Sequence, residues 1–202
     1  LYSREEIENL ARRSRSRRDT SRATIGVEIA SGITELGDDG VRYRGHDVAT
    51  LACSCSFEQV AELLWTGRLG EPDATWPLDR DALASCRAVD AAAGSAADHI
   101  RLALAATTLA GKARAEHTGA DAARTLLALA PSLLGGPLTG DVASRLAACF
   151  RRRPGPELVA AVSRVLILLA DHELATSTLA VRVAASVRVD PYSALAVGIE
   201  IV

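Results

Sequence analysis

The sequence predicts an all-α fold, and three observations carry that prediction. Apolar residues make up 49% of the 202 residues while aromatics supply only 3%, so the core must be built from Ala, Leu and Val. That mix suits close helix-to-helix packing better than sheets. Apolar residues recur at helical spacing from Ser56 to the C-terminus, and Gly and Pro divide this region into segments of helix length. A convincing β signal is confined to residues 25–47.

The elements follow in order. Near the N-terminus, Ser3 is placed to cap a short helix with Glu6 as its reciprocal partner, and Ile7 and Leu10 share one face. Six arginines (Arg12, Arg13, Arg15, Arg17, Arg18 and Arg22) then fall within eleven residues. Such a cluster can contact phosphates, but with serines between the charges it reads better as a solvated linker. Residues 1–24 are therefore separated as a basic appendage, and 25–202 are read as one helical domain.

In residues 25–47, Val27 and Ile29 alternate, and "GDDG" separates "ITEL" from "VRY", the pattern of a small β-hairpin. Next, Ser56 and Gln59 form a capping box ahead of Phe57, Val60, Ala61, Leu64 and Trp65, and Gly67 closes the helix. Further helices are expected at about 79–93, 97–113, 119–130, 141–151, 156–170, 174–188 and 191–199. Pro131 is read as the end of one of them. Asp190 followed by Pro191 is a start signal, because Pro at the first helical position loses no hydrogen bond and Asp can cap.

Composition also excludes some classes. A formal charge of −2 gives no reason to expect nucleic acid or an anionic membrane as partner of the whole chain. The longest apolar stretch, Leu158 to Ala170, is interrupted by Arg164 and is too short to span a bilayer. Together with the absence of a signal-like apolar run, this predicts a soluble, cytoplasmic protein without a membrane partner. Cys53, Cys55, Cys86 and Cys149 form no dense framework, so reduced thiols are expected. Cys53 and Cys55 supply two ligands of a four-ligand metal site, with His46 as the nearest further donor, and are read instead as filler on a helical face. No metal is expected.

The unusual stretch is "LLADHELATSTLAVRVAAS", 168–186, which sets Asp171, His172 and Glu173 in succession within an apolar context. Neighbours on a helix lie about 100° apart, so at most two of the three share a site. Spacing leaves two readings open. In one, Asp171 caps the following helix, Glu173 favours its positive end and His172 is a satisfied junction residue. In the other, the helix N-terminus disfavours imidazolium, and a neutral His172 donates a hydrogen bond to a developing enolate oxygen. A metal role is the weaker reading, since His46, His99 and His117 are remote in sequence.

Two segments carry a resemblance. "ILLADHELATSTLAVRVAASVRVDPYSALAVGI", 167–199, resembles the part of the citrate synthase family that bears the ADHE-x-x-x-ST motif. "VRYRGHDVATLACSCSFEQVAELLWTG", 41–67, is similar to the family's N-terminal hairpin end and the helix after it. The resemblance implies a citrate synthase-like multi-helical fold, a homodimer, and His172 as the catalytic group that hydrogen-bonds the thioester oxygen of acetyl-CoA. It also implies condensation with oxaloacetate to give citrate and CoA, or 2-methylcitrate from propionyl-CoA, with acetyl-CoA as substrate and no cofactor.

The family's second histidine, its catalytic aspartate and its substrate arginines are expected beyond Val202, in a longer protein. Its further oxaloacetate-contacting histidine has no counterpart between Pro131 and Ala170. Many members have His where Leu169 stands and Asn where Ala175 stands. The basic N-terminal segment resembles the last helix of a small winged helix-turn-helix module, so nucleic acid is expected only through that module. A second reading follows from these departures: a sensor or transcriptional regulator that keeps the fold and binds an acyl-CoA or an oxo acid.

Overall fold

The computed structural model describes residues 31–38, 40–89, 95–109, 117–171 and 175–201. The appendage 1–24, the alternation at Val27 and Ile29, and His172 with Glu173 lie outside the described residues.

The chain from Ser31 begins with a small antiparallel sheet in the order β1 (Thr34–Gly37), β2 (Gly40–Tyr43), β3 (His46–Asp47). Thr34 faces Tyr43 and Gly37 faces Gly40, so the turn falls where "GDDG" predicts it. The third strand enlarges the expected hairpin: Tyr43 pairs with His46 and Arg42 with Asp47.

Asp47 then starts a helix that the apolar periodicity did not reveal, α1 (Val48–Ser54). Its carboxylate accepts the Thr50 N–H at 2.7 Å and the Thr50 hydroxyl at 2.7 Å. The helix spans only 7 residues, too few for its buried Val48, Leu51 and Ala52 to establish a period. Cys53 lies exposed near its end and Cys55 is its C-cap.

The Ser56 capping box is formed as read from the sequence: Gln59 N–H donates to Ser56 Oγ at 3.2 Å, and Ser56 N–H to Gln59 Oε1 at 3.0 Å. Helix α2 (Phe57–Thr66) ends on left-handed Gly67, whose N–H bonds to the Leu63 carbonyl at 2.9 Å. The next carbonyl, Leu64 O, is taken by Arg44 from the turn between β2 and β3, at 3.0 Å from Nε and 2.8 Å from Nη2. Arg44 holds this position at φ 47°, a conformation costing a non-glycine residue on the order of 1–3 kcal/mol.

Among the described residues seven helices follow: α3 (Arg80–Val89), α4 (Ala96–Leu109), α5 (Gly119–Leu133), α6 (Val142–Phe150), α7 (Pro156–Leu168), α8 (Thr176–Ser186) and α9 (Pro191–Ile199). Pro131 does not end α5 as the sequence suggested. It is buried inside the last turn, and the helix closes where Leu134 N–H meets Ala130 O and Gly136 N–H meets Pro131 O. Proline removes one hydrogen bond, and burial against neighbours offsets that loss.

Three apolar clusters tie these elements together. Tyr43, Leu51, Phe57, Leu63, Val142 and Ile167 join the sheet to α1, α2, α6 and α7. Ala82, Cys86, Ala103 and Leu129 join α3, α4 and α5, and Leu104, Ala122 and Tyr192 join α4, α5 and α9. Each fully buried Leu, Phe or Ile contributes roughly 1.5–3 kcal/mol.

Polar ties cross the same seams. Arg124 on α5 grips Glu62 on α2 with two hydrogen bonds of 2.6 Å and lies 5.7 Å from the ring centre of Trp65. Trp76 donates to the same carboxylate at 3.2 Å. Hydrogen bonding to Arg124 holds the Glu62 carboxyl below its ordinary value. Arg145, 2% exposed, donates to Pro137 O at 2.9 Å and to Ser132 Oγ at 2.6 Å.

Glu58, 1% exposed, accepts the Val142 N–H at the start of α6 at 2.7 Å through Oε1, while Oε2 is buried without a hydrogen-bond partner. Burial pushes this carboxyl above its ordinary value of 4.5, against the pull of the Val142 N–H.

A carboxyl whose folded-state pKa is raised contributes stability below its unfolded value and loses it as pH rises through the folded value. Glu58→Gln keeps an acceptor for Val142 and cannot ionise. Urea unfolding is therefore expected to show the variant gaining on the parent as pH rises above the ordinary carboxyl value of 4.5; a pH-independent difference would mean that Glu58 carries no buried charge.

Candidate active site

The junction between α7 and α8 carries the unusual acidic and imidazole residues, and its geometry begins at the end of α7. Ile167 is fully buried in the first cluster and fixes that end. The last turn closes through Leu169 N–H to Val165 O at 3.1 Å and Ala170 N–H to Ile167 O at 3.2 Å. Leu169 itself is 63% exposed.

Asp171 then turns toward the sheet. The Tyr43 hydroxyl donates to the Asp171 carbonyl at 2.8 Å and accepts the Asp171 N–H at 3.2 Å. The Thr34 hydroxyl donates to Asp171 Oδ2. Thr34 and Tyr43 face each other across β1 and β2, so one cross-strand pair supplies all three bonds. Burial raises the Tyr43 phenol above its ordinary value of 10.0, which keeps it a neutral donor at pH 7.

This corrects one reading of the sequence: Asp171 does not cap the next helix. The N-cap of α8 is Ala175, at φ −62° and ψ 155°, whose side chain makes no capping hydrogen bond. The carboxylate is committed to the sheet, four residues upstream. Downstream, α8 is held by close approach to α9: a Cβ added at Gly198 would lie 2.5 Å from Val181 Cγ2. Asp190 caps α9 as expected, accepting the Tyr192 and Ser193 N–H groups at 3.1 Å each.

A cleft of about 470 Å³ opens beside Asp171, between the sheet, α1 and the end of α7. Its volume is in the range of small-molecule sites. Leu36, Val41, Val48 and Leu168 line it together with Asp47 and Asp171. Hydrogen bonds from Thr50 hold the Asp47 carboxyl below its ordinary value, so it is ionised at neutral pH.

His172, the sequence-predicted catalytic residue, lies outside the described residues. None of the other three histidines lines the cleft. His46 is exposed on β3, His99 Nδ1 meets Ser95 O at 3.0 Å, and His117 Nδ1 meets the Tyr192 hydroxyl at 2.8 Å. Among the described residues no group of three or more His, Cys, Asp or Glu could hold a metal ion, and no helix is long and apolar enough to cross a membrane. All four cysteines are free thiols.

Sequence reasoning missed Thr34 and Tyr43 as partners of this junction. The available signal was a tyrosine in an otherwise apolar core pattern, since a buried phenol requires a partner for its hydroxyl.

Taken together, the small sheet and the helices packed on it define an all-helical domain with an N-terminal hairpin sheet. Comparison with known proteins places that domain. Residues 25–200 match the family model for citrate synthase, C-terminal domain. The chain is 30% identical over 196 residues to a citrate synthase of Mycolicibacterium smegmatis, covering 80% of this chain and 50% of that protein. It is also 30% identical over 185 residues to a 2-methylcitrate synthase of Mycobacterium tuberculosis, covering 78% and 46%.

Among solved structures, citrate synthase from Pyrobaculum aerophilum matches with a TM-score of 0.65 at 22% identity, over 86% of this chain and 52% of that one. A Thermoplasma acidophilum citrate synthase, solved as a ternary complex with carboxymethyl coenzyme A and oxaloacetate, matches at 0.66 with 18% identity, over 87% and 53%. The chain belongs to the citrate synthase family. It spans about half the length of these relatives.

The bare N-cap of α8 yields a stability test. Replacing an Ala N-cap by Asn adds an acceptor for a first-turn N–H and contributes about 1 kcal/mol. Ala175→Asn is expected to raise the melting temperature by roughly 2–4 °C for a chain of this size. An unchanged or lower value would mean that these donors are already satisfied.

Proposed function

We propose that this chain is the part of a citrate synthase-type enzyme that carries the thioester-polarising histidine. The supporting observation is the Ala170-Asp171-His172-Glu173 sequence at the junction between α7 and α8, in a member of this family. In this reading His172, as uncharged imidazole, donates a hydrogen bond to the thioester oxygen of acetyl-CoA. A carboxylate elsewhere in the enzyme takes a methyl proton, and the charge developing on that oxygen is stabilised where it forms.

The resulting enol carbon bonds to the ketone carbon of oxaloacetate. Water then attacks the thioester carbonyl, the C–S bond breaks, and citrate and CoA leave. Propionyl-CoA would give 2-methylcitrate by the same steps. One methylene changes selectivity by only about 1–3 kcal/mol, so both acyl chains belong in the same assay.

Assembly as a homodimer is part of this reading. Val183 of α8 and Val187 at its C-cap are 61% and 72% exposed, and a partner surface would remove them from water. Light scattering of the intact protein is expected to give twice the chain mass, and a monomer would count against it.

A sensor that binds an acyl-CoA or oxo acid without turnover is the second reading, favoured by Leu169 and by the uncapped Ala175. Thiol release by the intact protein from acetyl-CoA or propionyl-CoA with oxaloacetate separates the two. The parent is expected to release CoA, and His172→Ala to lower kcat at least about 100-fold, the scale of losing one oxyanion donor. Equal rates would remove His172 from the chemistry, while no release by either protein would favour the sensor.

A further inference from the structure

The turn between α6 and α7 leaves four successive side chains in water. Phe150, the last residue of α6, is 73% exposed, and Arg151, Arg152 and Arg153 after it are all exposed. The chain contains two phenylalanines, and the other, Phe57, is buried in the first apolar cluster. A sequence this poor in rings thus keeps one of them in solvent directly beside three cations. A large apolar side chain that the fold does not bury, rimmed by polar groups, marks a contact surface.

The cations are equally uncommitted. Arg101 and Arg124 are ion-paired to Asp98, Glu200, Glu62 and Asp121, whereas among the described residues Arg151, Arg152 and Arg153 make no ion pair. Residues 150–157 set one carboxylate, Glu157, against these three guanidinium groups. The dipole of α6 favours a cation at its C-terminal end, and Arg151 as the C-cap meets that need. Arg152 and Arg153 are left without a task inside the fold. The formal charge of −2 for the whole chain conceals this local excess.

We propose that Phe150 and Arg151–Arg153 form a docking loop for an anionic membrane surface, with the guanidinium groups at the lipid headgroups and the phenyl ring in the apolar layer beneath them. Single-stranded nucleic acid fits less well, because it is held in a basic groove by aromatic rings in series. This loop offers one ring, and exposure of four successive residues leaves no side of the segment lining a groove. Each cation near an anionic bilayer strengthens attachment about fivefold, so three of them with one ring give reversible docking rather than a permanent anchor. The role is independent of whether the protein turns over acyl-CoA.

Co-sedimentation of the intact protein with vesicles tests this, using mixed phosphatidylglycerol and phosphatidylcholine against phosphatidylcholine alone. The N-terminal segment can bind the same lipid, so Arg12, Arg13, Arg15, Arg17, Arg18 and Arg22 are changed to Gln in every protein compared. In that background the protein is expected to bind the anionic vesicles and not the neutral ones, less tightly as salt rises and screens the exposed charges.

Arg151→Gln, Arg152→Gln and Arg153→Gln together should weaken binding about 100-fold. Phe150→Ser should weaken it about 10-fold, through loss of the ring's burial. All four positions are exposed, so both variants should melt at the parent temperature. Absence of binding to anionic vesicles overturns the proposal, as does parent-like binding by either variant. Binding of oligothymidylate without binding of vesicles overturns it in favour of nucleic acid.

Discussion

The structure around the junction depends on one buried phenol. Tyr43 belongs to the sheet by backbone pairing, to the first apolar cluster by its ring, and to the α7 end by its hydroxyl. A side chain used three ways couples elements more than a hundred residues apart in sequence. The coupling is strong because the ring is excluded from water, where a hydrogen bond to a backbone group no longer competes with solvent. Asp171 is accordingly part of the sheet's environment rather than the start of α8.

The rest of the fold answers a shortage of aromatics. With Ala, Leu and Val as filler, helices approach closely and tolerate little extra volume, as Gly198 against Val181 shows. Gly136 is under the same constraint, since a Cβ there would lie 2.7 Å from the backbone oxygens of Pro131 and Arg145. Few large rings remain to lock the helices in register, and that task passes to charged groups. Glu62 with Arg124 joins α2 to α5, and Arg145 joins α6 to Ser132 of α5 and to the turn after it. Such groups favour one arrangement because any other would strand a charge in the interior. The orphaned Glu58 oxygen shows the cost of this solution.

Membership in the citrate synthase family gives this architecture a direction. The cleft beside Asp171 is walled largely by apolar side chains of the sheet, α1 and the end of α7. In this view the sheet, α1 and α2 form a buttress behind the junction. Substitutions at Leu169 and Ala175 fall on the flanks of His172, outside the three hydrogen bonds that reach Asp171.

Local chemistry written in the sequence determined much of this protein. The Ser56 and Gln59 capping box, the Gly67 stop, the "GDDG" turn and the Asp190 cap are interactions within a few residues, so residue type and spacing suffice to place them. Helix class followed from composition and period, and the family from segments 41–67 and 167–199. What only the tertiary structure decided has a common cause: each case depends on a partner far along the chain. Pro131 stays inside α5 because burial offsets the lost bond, α1 forms because a short segment finds the sheet and α7, and Arg44 accepts a strained backbone to reach Leu64. Asp171 has a local use as a cap, and local rules assigned it one. The sheet outbid that use with three hydrogen bonds whose donors and acceptor lie 128 and 137 residues away, a competition that spacing along the chain cannot reveal.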